Sequence, residues 1–197
     1  MRLLRWPTWI YADGHPLLHG RDRRLRVGRV SLATFLALGY LGVAEPTLGR
    51  LCVGLTIGGV GLILRGAAAG HLTKHKQLST SGPYAYTRHP LYFGSLVIGA
   101  GLLIAAKSWL ATAVLVVYFF AFYPAIIARE EVKLRGRYGP AFDEYAARVP
   151  CFWPRRIPRW GGWEFSWALW RRNGEFQTVL GFLAVCGALL LKARLWP

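Results

Sequence analysis

The sequence predicts an all-α protein, a polytopic membrane helix bundle with about five transmembrane helices and long cytoplasmic loops. Three observations predict it. Hydrophobic residues make up 54% of the 197-residue chain and charged residues only 17%. That is too apolar for a water-soluble domain and far from a disordered composition. The apolar residues gather into five stretches near the roughly 20 helical residues a bilayer core requires. Finally, the 25 Lys and Arg residues, against 9 Asp and Glu for a net charge of +16, concentrate in alternate gaps between those stretches. At this length one domain, 1–197, is expected.

In order along the chain, the first thirty residues lack the apolar h-region of a signal peptide. Trp6, Trp9 and Ile10 beside Arg2 and Arg5 suit an anchor at the membrane surface. The spans expected are Val27–Ala44, Leu48–Ala69, Pro90–Ala106, Trp109–Ala128 and Phe176–Leu191. Arg29, near the edge of the first, is long enough to snorkel. In the second, Gly54 with Gly58 and Gly66 with Gly70 have the small-xxx-small spacing that lets membrane helices approach closely. Trp160, Trp163, Trp167 and Trp170 recur every three or four residues beside Arg159, Arg171 and Arg172. They predict one helical stripe in the headgroup layer.

Basic residues number seven before or at the start of the first span and one in the first loop. Four follow in Arg65–Arg88, one at Lys107–Ser108, ten in Arg129–Glu175 and two in the tail. The alternation places the N-terminus and both long loops in the cytoplasm and the C-terminus outside. The charge thus reads as topology, and no nucleic-acid partner is expected. Cys52, Cys151 and Cys186 are odd in number and far apart, with no Cys-x-x-Cys or Cys/His spacing. Neither a disulfide framework nor a zinc site is expected. His71 and His75 stand four apart, but no further ligand follows at metal-binding spacing, so no metal centre is expected.

Two cytoplasmic segments are richer than linkers. Thr80–Tyr92 reads TSGPYAYTRHPLY, where Gly82-Pro83 marks a turn and Pro90 suits the first position of a helix. Free N–H groups there, with Arg88 and His89, would cradle a carboxylate or phosphate. A helix start anchored by aromatics at the interface is the alternative. The second segment opens at Arg129-Glu130-Glu131. Two carboxylates at the mouth of an apolar helix mark a functional candidate. Glu131 has Arg135 four residues on, an ordinary ion pair; Glu130 faces Leu134 at that spacing and is the better site candidate.

The runs TSGxYAxxRHPxYxG at Thr80–Gly94, EExxL at Glu130–Leu134 and YGxxxxEYxxRVP at Tyr138–Pro150 closely resemble the isoprenylcysteine carboxyl methyltransferase family. That family is grouped with membrane phospholipid methyltransferases. The resemblance covers about 76–150 and implies a cofactor-binding catalytic core there, on cytoplasmic catalytic loops. It implies S-adenosyl-L-methionine as cofactor, held in a cytoplasm-facing pocket between the two segments. Tyr84, His89, Pro90, Leu91 and Tyr92 would line that pocket, and Glu130 would reach it from the other helix. Lys76, Gln77, Leu78 and Ser79 occupy the place of a further cofactor contact, and Tyr145 and Arg148 are acceptor-side candidates.

Some members of the family carry an arginine one turn before the glutamate that helps handle a carboxyl substrate. Ile126 stands there instead. The resemblance therefore implies methyl transfer to a lipophilic small-molecule or lipid acceptor at the membrane, with phospholipid amines among the candidates. The competing classes are a membrane reductase with a nicotinamide cofactor and a non-catalytic membrane protein that keeps the fold. Oligomeric state stays open, since small-xxx-small pairs serve contacts within or between chains.

Overall fold

A computed structural model describes residues 39–73, 77–154 and 164–195. Most of the stretch expected as a first span lies outside these residues, as do Lys76, Trp160 and Trp163. Residues 39–43 are helical. Six helices then follow: α1 (Leu48–His71), α2 (Pro90–Ala106), α3 (Trp109–Tyr138), α4 (Pro140–Arg148), α5 (Trp167–Arg172) and α6 (Glu175–Leu195). The described residues contain no strand. Three helices, α1, α3 and α6, are long and apolar enough to cross a membrane, and α2 is a shorter apolar helix. The protein is an all-α membrane bundle.

Starts and stops follow local chemistry. Pro90 opens α2 at a position where its missing N–H costs nothing. Lys107, with φ 53°, closes that helix in the left-handed region, and the Ser108 side chain caps α3 by accepting from Ala111 N. α3 continues past its apolar part, so Glu130 and Glu131 sit on a polar extension of the same helix. Gly139, with φ 52°, and then Pro140 break the chain into α4. On the far side of the bundle, Ala44, Leu51, Ala105, Ala106 and Leu189 bury one another.

α1 and α2 cross closely because their meeting faces lack side chains. A Cβ on Gly101 would collide with Gly54 O and Gly58 N, and would stand 2.8 Å from Gly58 Cα. Gly61 and Gly94 repeat the arrangement one turn nearer the site: a Cβ on Gly61 would lie 2.8 Å from Gly94 O. The second small pair works differently, with Gly70 under the Phe165 ring and Gly66 under Trp170. Gly101→Ala is expected to cost about 1–3 kcal/mol, since rigid backbone cannot yield as a side chain does. A lowered thermal midpoint in detergent checks this.

The tryptophan stripe differs from expectation. Residues 164–166 are not helical, and Ser166 caps a new helix by accepting from Leu169 N at 3.3 Å. Its own N–H donates to Gly70 O at 3.0 Å. That tertiary bond takes the backbone out of the helix, leaving Trp167 and Trp170 packed edge to face beside Phe165.

Candidate functional site

The site lies at the end of the bundle where α1 finishes, α2 begins and α3 becomes polar. Gly82–Ala85 forms a 3-10 turn. Gly82 has φ +56°, and a Cβ there would press into the His71 imidazole, with Cγ at 2.8 Å. This turn buries Tyr84. Tyr145 of α4 donates its hydroxyl proton to Tyr84 O at 2.7 Å. Arg88 N donates to Pro150 O at 2.9 Å, and Thr87 Oγ1 donates to Phe152 O at 2.9 Å. The two sequence segments are therefore stitched together through their backbones.

At the helix start, His89 is 3% exposed and its Nε2 lies 3.2 Å from Glu131 Oε1. Burial pulls the His89 imidazole below the usual histidine range, against the opposing pull of Glu131 and Glu130. The neutral ring then carries its proton on Nε2 and donates it to the carboxylate. Arg88 reaches the same Oε1 at 3.2 Å, and the Cys151 thiol lies 3.5 Å from it. Burial likewise raises the Cys151 thiol, helped by Glu131 and opposed by Arg88.

This arrangement corrects the expectation for Glu131. Arg135 bonds Asp143 at 2.7 Å instead, because the turn at Gly139 folds α4 back onto α3. Glu131 is left to serve Arg88 and His89. Glu130 faces the neighbouring group of residues, its charge acting on Tyr92 and Tyr84. Burial drives the Tyr84 phenol far above its ordinary value, with Tyr145, Glu130 and Glu175 adding to the rise and Arg65 opposing it. Tyr92 lies between His89 and Tyr123, tilted to the first and edge-to-face with the second, with ring centroids 5.8 and 5.6 Å away.

Tyr84, His89, Pro90, Tyr92 and Glu130 thus gather in one place. Leu91 lends its carbonyl to Ser95 Oγ at 2.9 Å. Leu78 packs on the Phe142, Tyr145 and Val149 cluster, Ser79 Oγ accepts from Thr73 N at 3.1 Å, and Gln77 is exposed. Tyr145 is buried as a strut beneath Tyr84. Arg148 lies on the exposed side of α4, paired with Glu144.

Sequence reasoning missed a second ion pair. Arg65 of α1 grips Glu175 of α6 through two contacts, Nε to Oε2 at 3.0 Å and an Nη to Oε1 at 2.9 Å. Arg65 also donates to Ser95 of α2. Asn173 Nδ2 donates to Ala69 O at 2.8 Å and Leu72 O at 3.0 Å, closing the end of α1. Only a charge inside the apolar run, Arg65, and an acid at the start of another, Glu175, hinted at this in the sequence.

Fold and site define a polytopic helical membrane protein with a polar, tyrosine-lined site at one end of its bundle. Residues 48–141 match the family model described as phospholipid methyltransferase. The cobalt-zinc-cadmium resistance protein CzcN of Cupriavidus metallidurans is 42% identical over 120 residues, 61% of this chain and 49% of that protein. The nickel-cobalt-cadmium resistance protein NccN of Alcaligenes xylosoxydans xylosoxydans is 40% identical over 123 residues, 62% and 51% of the two chains. Protein-S-isoprenylcysteine O-methyltransferase of Schizosaccharomyces pombe is 28% identical over 108 residues, 52% and 46%. The chain spans about half the length of these curated relatives. No solved structure matches it.

Proposed function

We propose that this chain transfers a methyl group from S-adenosyl-L-methionine to a lipophilic acceptor at the cytoplasmic face of the membrane. The observation that carries the reading is the meeting of the α2 start with the polar end of α3, made by the 3.2 Å contact between His89 and Glu131. Around it stand groups that fit the proposed cofactor. Glu130 offers a negative charge for an amino group or sulfonium. Arg88 Nε is buried without a hydrogen-bond partner, and together with the first N–H groups of α2 it suits a carboxylate. Tyr84, Tyr92 and Tyr123 supply aromatic faces, which attract cations.

When bound, the cofactor supplies an electrophilic methyl group on a sulfonium, whose departure as a neutral thioether needs no acid. The chain's contribution is alignment and the exclusion of water. His89 and Glu131 hold the α2 start against α3, and Tyr145 props the Tyr84 turn from below. Glu130 binds rather than abstracts a proton. Tyr145 is read as a positioning residue, and Arg148 as an acceptor-side surface residue. The metal-resistance and prenylcysteine names of the relatives differ in kind, so the acceptor is proposed only as a class.

The test is equilibrium binding of labelled S-adenosyl-L-methionine to the purified full chain, followed by label transfer into a membrane-lipid extract. Glu130→Ala is expected to weaken cofactor binding about tenfold or more, the loss of one charge-assisted bond. Affinity unchanged in that variant, or retention of a nicotinamide cofactor instead, would overturn the reading.

A further inference from the structure

Three side chains that no local spacing connects converge beside the cofactor-facing groups. His89 Nε2 from the α2 start, Glu131 Oε1 from α3 and Cys151 Sγ from the segment after α4 all lie within 4.8 Å of one another. We propose that these three atoms form a binding site for a thiophilic divalent cation of the zinc, cadmium or cobalt class.

The distances carry the argument. Tetrahedral zinc holds nitrogen and oxygen at about 2.0–2.1 Å and sulfur at about 2.3 Å, which sets ligand-to-ligand edges of roughly 3.3–3.6 Å. The observed edges are 3.2 Å from His89 to Glu131 and 3.5 Å from Cys151 to Glu131. Two of the three edges thus match a coordination tetrahedron as they stand, and the third, from His89 to Cys151, is within 4.8 Å, so the ion needs at most a small inward movement of one donor. The set mixes nitrogen, oxygen and sulfur, which suits a borderline-soft ion and not magnesium or calcium. His89 presents an Nε2 lone pair in the tautomer that carries its proton on Nδ1. Cys151 binds as thiolate, its proton passing to solvent, so that thiolate and carboxylate neutralise the ion. A fourth position is left open.

Arg88 is the competitor, with its guanidinium 3.2 Å from the same Glu131 oxygen. Its Nε is buried without a partner, so this residue is held there by an incomplete set of bonds. Entry of the ion displaces it from Glu131. This gives the site an internal control that a purely structural cluster lacks: removing Arg88 should tighten ion binding, while removing Cys151 should weaken it.

The ion site shares His89, Glu131 and Arg88 with the proposed cofactor site, but its test is read without any methyl donor, so either reading can fail alone. The probe is cobalt(II), titrated into the full chain in detergent with Cys52 and Cys186 replaced by serine. One equivalent is expected, with intense visible bands of four-coordinate cobalt and a near-ultraviolet thiolate charge-transfer band. Zinc and cadmium should bleach both. Cys151→Ser should abolish the charge-transfer band and weaken binding at least tenfold, whereas Arg88→Gln should strengthen it. A band that survives Cys151→Ser, or no band in the parent, overturns the site. In the unmodified chain, cadmium should slow alkylation of Cys151 at least tenfold, and alkylation at an unchanged rate would also overturn it.

Discussion

Glu175→Ala is expected to lower stability by about 3–5 kcal/mol. The Glu175 side chain is 4% exposed and that of Arg65 26%, so the substitution strands a guanidinium near the end of a membrane helix. The pair also joins three helices, since Arg65 reaches Ser95 on α2 as well as Glu175 on α6. The paired variant Arg65→Leu with Glu175→Leu should recover most of the loss, because apolar partners leave no uncompensated charge. Thermal midpoints of the single and double variants in detergent check this. Equal destabilisation in both would show that the bonds themselves, and not the stranded charge, set the cost.

The second large effect is expected at Glu131. One carboxylate oxygen serves Arg88, His89 and Cys151. Glu131→Ala should cost about 2–3 kcal/mol of stability, the range for charged hydrogen bonds lost in a half-buried setting. If the α2 start then drifts from α3, affinity for the proposed methyl donor should fall by roughly thirtyfold, the equivalent of about 2 kcal/mol. Glu131→Gln keeps an acceptor for His89 but loses the charge facing Arg88, and should fall between the two. Isothermal binding measurements on folded variants separate the stability effect from the binding effect. Alanine and glutamine variants with wild-type affinity would remove Glu131 from the positioning of the site.

The two glutamates show how far the sequence reached. Adjacent acids at the end of an apolar helix identified the locality. Local spacing then assigned Arg135 to Glu131, and the structure gives Arg135 to Asp143. The i,i+4 rule counts only neighbours on one helix, while the turn at Gly139 brings another helix onto the same face. The tryptophan stripe is interrupted for the same reason: Trp167 and Trp170 share a helix, but residues 164–166 are not helical, and Ser166 bonds Gly70 there. Gly54 and Gly58 were legible as a close-packing face, but their partner, Gly101, was not.

By itself the sequence determined the helical membrane class, the apolar helices from Leu48 onward, and the two segments that meet at the candidate site. Those are properties of runs and periods, fixed by the cost of placing backbone and charge in lipid. Tertiary structure alone decided that Arg65 meets Glu175, that Glu131 meets His89 and Arg88, and that Cys151 joins them. The partners stand 110, 42 and 20 residues apart in sequence. Their meeting depends on which helix faces pack, and that is settled by side-chain-free contacts between α1 and α2 and by the turns at Gly82 and Gly139.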